Sequence, residues 1–406
     1  RIEVSNPLDY IKSLHDSFSL EEIPGLPKFT GGLVGYFSYD CVRMIENRLE
    51  DSEPIDLLGT PDALLMISEE VAVFDNLKNR LHLIVMVESE DEETLSRAES
   101  RLDQLEKKLK ENFEFEEFSK PNDSVEESDF VSSFGEKEFK SAVNKVKEYI
   151  KKGDVMQVVC SQRMSIPFNS DPVALYRAVR YLNPSPYMYY LNLKDFHIVG
   201  SSPEILARLE DGDVTVRPIA GTRRRGKNKD DDKAMELDMV NDPKEIAEHL
   251  MLIDLGRNDV GRIAEPGSVE VTEKFGIERY SHVMHMVSNV TAKIKKGLTA
   301  MDVFKATFPA GTVSGAPKVR AMEIIDEFEP VKRGIYGGAV GYLSWQGNMD
   351  MAIAIRTAVI KDDLLYIQAG GGWVADSIPE LEWKEVLNKG RVIFKAAEMV
   401  QEKLKG

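Results

Sequence analysis

Apolar residues in this chain follow two rhythms. Between residues 136 and 152, Phe139, Val143, Val146 and Ile150 recur at three- or four-residue steps, which places them on one helical face. Residues 92–111 form an amphipathic, highly charged run. "PKEIAEHLMLIDL" and the stretch from 379 to 404 also read as helices. Elsewhere the pattern is strand-like: "GGLVGYFSYD", "RLHLIVMVES", "MAIAIRTAVI" and "DLLYIQAG". Residues 112–134 are acidic, polar and turn-rich, and predict a linker or long loop. This divides the chain into an N-terminal region 1–111, the linker 112–134, and a region 135–406 of alternating strands and helices. No internal repeat of fixed period is present. The class predicted is α+β with much antiparallel sheet.

Composition narrows the choice. The chain has 406 residues, with 52 basic and 69 acidic side chains and a formal net charge of −17. That balance argues against nucleic acid, which needs a clustered basic surface. Cys41 and Cys160 stand far apart with no CxxC or histidine neighbours, so no disulfide framework and no zinc site is expected, as suits the cytoplasm. No apolar stretch approaches the ~20 residues of a membrane helix, and no signal peptide is seen. The chain starts at Arg1 without a Met, so an expected natural start lies upstream.

Asp242, Pro243 and Glu245 read as N-cap, first residue and third residue of a capping box. Ser377 and Glu380 repeat that layout. Glu248 lies one turn beyond Glu245, Glu382 and Glu385 are one turn apart, and Lys389 continues their stripe. Two E-x-x-E pairs near two helix starts offer hard oxygen ligands, magnesium being the cation they suit best. By themselves such pairs are commoner on solvated faces of acidic proteins. Within "MAIAIRTAVI", Arg356 alternates with Ala352, Ala354 and Ala358. That leaves it on a face of small residues, free to grip a carboxylate or to form a structural salt bridge. "AGGGW" and "FPAGTVSGAPK" are glycine-rich turns whose backbone N–H groups could face an anion. Neither fits a nucleotide-binding motif. "PIAGTRRRG" is either a basic surface loop or an anion site. His282 and His285 lack a carboxylate in their motif, and His285 is the candidate for acid–base work. Two or three anion grips beside a carboxylate-held cation suit a small dianionic substrate.

Taken in order, "GDVMQVVCSQR", "NPSPYMYYL", "SSPE", "PIAGTRRRG", "AEHLMLIDLGRND", "YSHVMH", "FPAGTVSGAPK", "GAVGYLS", "AIAIRT" and "QAGGGWVADSIPE" are far more specific than any one alone. The chain resembles the chorismate-utilising enzymes, and among them the large subunits (component I) of anthranilate synthases. The similarity runs over nearly the whole chain. The fold it implies is a large α/β sandwich of two packed, mostly antiparallel sheets with outer helices and the active site between them. It implies Mg2+ held by Glu248 and Glu385, with Glu245 and Glu382 binding directly or through water. Tyr336, Arg356 and the N–H groups of Gly370, Gly371 and Gly372 match the set for the enolpyruvyl carboxylate of chorismate. Gly221, Thr222, Thr312 and Lys389 match other substrate-contacting positions.

The resemblance also implies a mechanism. Ala220 stands where some aminodeoxychorismate synthases carry a covalent Lys, so an external nucleophile, ammonia, is expected. Gln157 stands where the water-adding isochorismate and salicylate synthases carry a basic Lys, and a neutral amide takes no proton from water. Glu204 is the expected acid for the leaving hydroxyl, and burial should raise its pKa. His285 is expected to assist pyruvate loss, and Thr222 belongs to both the catalytic and the binding sets. No G-x-C-x-G elbow is present, so a separate glutamine amidotransferase subunit should supply the ammonia. Pro186, Tyr187 and Met188 match half of a tryptophan feedback site, whose other N-terminal half is not found. Weak inhibition by tryptophan is therefore expected. The expected activity is conversion of chorismate and ammonia to anthranilate and pyruvate in tryptophan biosynthesis. The alternatives are an aminodeoxychorismate synthase without the Lys and a catalytically weak chorismate- or tryptophan-binding scaffold. Arg224, Gly371, Trp373 and Ile378 depart from the usual Pro, Ala, small aliphatic residue and Asp.

Overall fold

The computed structural model describes residues 2–18, 20, 23–50, 52–111, 125–280 and 283–403. Among these, the strands form a nine-stranded sheet, a seven-stranded sheet and a separate ribbon of Glu70–Asp75 with Arg80–Val85. Strand Gly32–Phe37 shows how alternation builds the layers. Leu33 and Phe37 face a core shared with Met301 and Phe304 of helix Ala300–Thr307. Tyr36 points the other way, into a core with Val340, Ile198 and Val359. The last two belong to the seven-stranded sheet, so this core fills the space between the sheets. Leu33, Tyr36 and Phe37 are each no more than 1% exposed. Burial of each is worth about 1.5–3 kcal/mol.

Helices Glu136–Lys151, Pro172–Leu182 and Pro379–Lys403 cover the outer face of the seven-stranded sheet with Phe139, Val143, Val146, Leu175, Ile393 and Phe394. The order of layers is therefore helix, sheet, sheet, helix, the α+β sandwich expected from the sequence. The three-part division is not a division of this fold. Strand Gly32–Phe37 pairs with Ala339–Ser344, so the first and last regions share one sheet. Of residues 112–134, those from 112 to 124 lie outside the described residues. The remainder runs along the second sheet, where Val131–Ser132 pairs with Ser165 and Met164.

One expectation fails usefully. "MAIAIRTAVI" is not a single strand. Met349–Ile353 lies in the nine-stranded sheet and Thr357–Lys361 in the seven-stranded one. Between them the chain crosses layers, with Arg356 in the left-handed region at φ 51°. The small residues therefore share no face: Ala354 joins the inter-sheet core and Ala358 the outer one. Strand alternation predicted a face only because it assumed continuity. A second crossing runs beside the first, between strands His197–Ser202 and Ile205–Glu210, and carries Glu204. Backbone bonds from Ile353 N to Glu204 O (2.9 Å) and from Ser201 N to Arg356 O (3.2 Å) tie the two crossings together.

The helix starts also differ from expectation. Asp242 caps helix Pro243–Gly261 by accepting from Lys244 N, but its own N–H already donates to Met239 O. Glu245 cannot complete a capping box and instead binds Arg223. The last helix starts at Pro379, which puts Ile378 rather than Ser377 at the cap, while the Ser377 hydroxyl accepts from Val374 N. Ile378 is 51% exposed and offers no oxygen to the free N–H groups. Ile378→Asp is expected to stabilise the fold by about 1 kcal/mol, read as a higher urea midpoint at unchanged slope. An unchanged or lower midpoint would show that this cap contributes nothing.

Candidate active site

The two crossings, two helix starts and two strand ends enclose a cavity of about 680 Å3. That volume lies within the usual range for a small-molecule site. Its lining holds Gln157, Glu204, Ala220, Gly221, Thr222, Glu245, Glu248, His285, Thr312, Tyr336, Arg356, Gly370, Gly372, Glu382, Glu385 and Lys389. Every residue singled out for catalysis, substrate or metal is there except Gly371. A Cβ on Gly371 would sit 3.3 Å from Glu382 Oε2 and 3.7 Å from Glu385 Oε1, on the carboxylate side of the wall. Pro186, Tyr187 and Met188 are not in the lining. Tyr187 opens the strand Tyr187–Asn192, where its hydroxyl donates to Asp350 (2.8 Å) and accepts from Arg208 (3.2 Å).

Strand Ile219–Arg224 reaches the cavity through a bulge between Ala220 and Thr222. Gly221, at φ 65°, supplies the left-handed residue this bulge needs. The bulge aims the Gly221 carbonyl at His285 Nδ1, 3.0 Å away, and leaves the Thr222 hydroxyl 3.1 Å from the same nitrogen. A carbonyl only accepts, so Nδ1 carries the hydrogen and Nε2 is the basic nitrogen. Burial lowers the His285 pKa, the Gly221 carbonyl opposing, so the ring is neutral near pH 7. The arginines that follow point away from the cavity centre. Arg223 binds Asp238, Asp242 and Glu245, Arg224 binds Asp231, and Arg225 binds Asp232. The surface-charge reading holds for this run, and Arg223 fastens the 219–224 strand to two helices.

Glu204 and Arg356 each favour the charged form of the other, against the burial that disfavours both charges. Burial pushes the Glu204 carboxyl up to about 7, while Thr312, Lys389 and Arg356 hold it down. It is therefore protonated in part at neutral pH. The Thr312 hydroxyl is itself buried without a full hydrogen bond. Burial also lowers the Arg356 pKa, and Tyr336 and Glu204 favour its charge. Its guanidinium makes no hydrogen bond or ion pair with the described residues, although protein surrounds it and only its cavity face is open. A half-buried guanidinium with no partner among the described residues is an anion receptor. Tyr336 is buried, and its hydroxyl would meet a Cβ on Gly370 at 2.7 Å, so only glycine fits there.

The four glutamates split unevenly. Glu245 is 2.7 Å from Arg223 and Glu385 is 2.8 Å from Lys389. Glu248 accepts a long bond from Gln157 (3.3 Å), and Glu382 Oε2 is buried with no partner. Burial raises both pKa values, and the neighbouring carboxylate on each helix raises them further. Among the described residues no three carboxylate, imidazole or thiol groups close on one point. Glu248 and Glu382 fit a hard cation that takes one or two carboxylates and completes its shell with water and substrate oxygens.

The sequence did not point to Lys244, Asn388, Gln368 or Pro203, which also line the cavity. Lys244 was hidden within a capping motif, Pro203 and Gln368 lay unremarked inside "SSPE" and "QAGGGWVADSIPE", and Asn388 carries no motif. Trp373 is wholly buried behind the wall, edge-on to Phe139 at 5.0 Å, and does not narrow the cavity. His282 lies outside the described residues.

Comparison with known proteins agrees with this geometry. Residues 4–395 match the family model described as chorismate binding enzyme. Anthranilate synthase component 1 of Pseudomonas putida is 57% identical over 403 residues, covering 98% of this chain and 81% of the relative. The crystal structure of anthranilate synthase component I from Streptococcus pneumoniae TIGR4 superposes with a TM-score of 0.88 at 39% identity, covering 97% of this chain and 86% of that one. The menaquinone-specific isochorismate synthase of Escherichia coli shares the fold, with a TM-score of 0.68 at 19% identity over 90% of this chain and 83% of that one. This chain belongs to the chorismate binding enzyme family.

Proposed function

We propose that this chain is the chorismate-converting component of an anthranilate synthase, forming anthranilate and pyruvate from chorismate and ammonia in tryptophan biosynthesis. Relatives 51% to 57% identical over 97% to 99% of the chain all carry the name anthranilate synthase component 1. They favour neither an aminodeoxychorismate synthase nor a binding scaffold. The observation that carries the chemistry is that Glu204, partly protonated at neutral pH, and Arg356, whose guanidinium has no partner among the described residues, line one cavity that has no lysine at positions 157 or 220.

In this reading Arg356 and Tyr336 hold the enolpyruvyl carboxylate beside the N–H groups of residues 370–372. Ammonia adds to ring C2 on the side of Gln157, the two ring double bonds shift from C1=C2 and C5=C6 to C1=C6 and C4=C5, and the C4–O bond breaks. Glu204 gives its proton to the departing oxygen, which leaves as water. The C2 hydrogen then passes to the enolpyruvyl methylene carbon, the C3–O bond breaks, and pyruvate leaves an aromatic ring. In this reading Nε2 of neutral His285 takes part in that second transfer. The resemblance names Glu248 and Glu385 as the Mg2+ ligands; because Lys389 already pairs with Glu385 here, we assign Glu248 and Glu382 as the residues that would hold Mg2+, which would neutralise the ring carboxylate. A component 1 implies a second component, and we assign it as a glutamine amidotransferase that supplies the ammonia. The 186–188 segment is the proposed contact for tryptophan as feedback inhibitor. Among the described residues no helix is long and apolar enough to cross a membrane, and a cytoplasmic location suits the reading.

Incubation with chorismate, Mg2+ and ammonium salt should produce anthranilate fluorescence. A stable aminated intermediate would favour the aminodeoxychorismate reading, and unchanged chorismate would sink both. Arg356→Met is expected to lower kcat/KM for chorismate about 10- to 150-fold, the value of one or two charge-assisted bonds. An unchanged kcat/KM would remove Arg356 from the substrate site.

A further inference from the structure

We propose that Arg333, which lies outside the cavity, is the positioning residue that sets the anion-binding wall. The proposal rests on reading Tyr336 and Thr312 as substrate contacts. Arg333 is 2% exposed, and its ion pair with Glu329 (2.6 Å) is equally buried. Its guanidinium reaches three separate elements. Nη1 donates to Val313 O at 2.6 Å, Nη2 donates to Val159 O at 2.6 Å, and Nε donates to Glu329 at 3.0 Å. The guanidinium carbon lies 4.4 Å from the Tyr39 ring and 5.6 Å from the Tyr336 ring.

Each partner is next to the chemistry. Val313 follows Thr312, Val159 follows Gln157 by two residues, and Val159, Val313 and Tyr336 all line the cavity. Glu329 carries the linkage one step further. It accepts from Ser161 N (2.7 Å) and Ser161 Oγ (2.9 Å), and Ser161 Oγ accepts from Gln368 Nε2 (2.8 Å). Gln368 is a fourth lining residue. One buried guanidinium thus fixes the relative placement of four parts of one wall.

A buried ion pair is weak evidence for stability, because desolvation offsets the attraction. The geometry here explains its presence differently. A planar fork can bridge two carbonyls on separate elements while holding a carboxylate. A lysine keeps the charge but cannot span those points together. Small displacements matter at this wall, since an error of about 1 Å in a bound substrate costs about 100-fold in rate.

The test is Arg333→Lys, which keeps the pair with Glu329, measured alone and combined with Tyr336→Phe. The expected result is a fall of about 100-fold in kcat/KM for chorismate, with Mg2+ affinity by calorimetry unchanged. In the Tyr336→Phe background the same substitution should cost at least threefold less, because part of its effect runs through that ring. An equal factor in both backgrounds, or a lower melting temperature with unchanged kcat/KM, overturns the proposal. If Arg333→Lys does not fold, Ser161→Ala carries the test: it leaves the ion pair intact, and unchanged kcat/KM there also overturns it. Parent protein that makes no anthranilate would instead sink the functional reading.

Discussion

Glu204→Gln is expected to lower kcat about 100- to 10,000-fold while raising the stability of the protein. The first effect follows from general acid catalysis, which contributes that range when a positioned proton donor is lost. Glutamine keeps the shape of the side chain and has no acidic proton. The second effect follows from burial. The carboxyl shifts from its ordinary 4.5 to about 7 because the site disfavours its charge. A raised acid leaves stability intact below pH ~4.5 and erodes it as the pH climbs through about 7, since the unfolded chain ionises first. At neutral pH the loss is about 3 kcal/mol, and the neutral amide escapes it. The sign of the activity profile is opposite to that of an ordinary base. The parent should be active with Glu204 protonated and should lose kcat/KM above about pH 7, and the variant should lack that limb. Stopped assays from pH 5.5 to 9, with urea melts at pH 5 and 8, check both arms. Near-parental kcat in the variant would assign the proton to another group.

Glu248→Gln and Glu382→Gln are expected to abolish Mg2+-dependent turnover, by about 1,000-fold or more at low magnesium, because cation affinity follows the number of charged ligands. Glu245→Gln and Glu385→Gln should be milder, since those carboxylates are already neutralised by Arg223 and Lys389. Calorimetric titration of Mg2+ in the presence of chorismate separates metal loss from misfolding. Equal losses at all four positions would mean that the two ion pairs open when the metal binds. Full activity of either Glu248→Gln or Glu382→Gln at low magnesium would remove that residue from the site.

Helical faces such as Phe139, Val143 and Val146 were legible because a period of 3.6 survives any tertiary arrangement. Of the candidate catalytic groups, His285 stood out by residue type, but Glu204, Gln157 and Thr222 were legible only through resemblance: no local pattern distinguishes Glu204 from a surface glutamate. Arg356 was found for the wrong local reason, since period-two alternation cannot reveal that the chain changes sheets in mid-run. The pairing of Glu245 with Arg223 was equally hidden, because it joins a helix to a strand, whereas Lys389, four residues beyond Glu385, was legible from helical spacing. Arg333 carries no motif at all, and its importance rests on contacts between residues 20 to 174 positions apart.

Glu204 and Arg356 ride on neighbouring crossings between the same two sheets. Their separation is therefore a gauge of the inter-sheet gap. The layer of Tyr36, Ile198, Val340 and Val359 acts as a shim whose thickness sets that gap. Variation that swaps one aliphatic side chain for another in this layer can retune turnover without altering any residue the substrate meets, and the divergence of rate within such a fold can be written in its core rather than in its site.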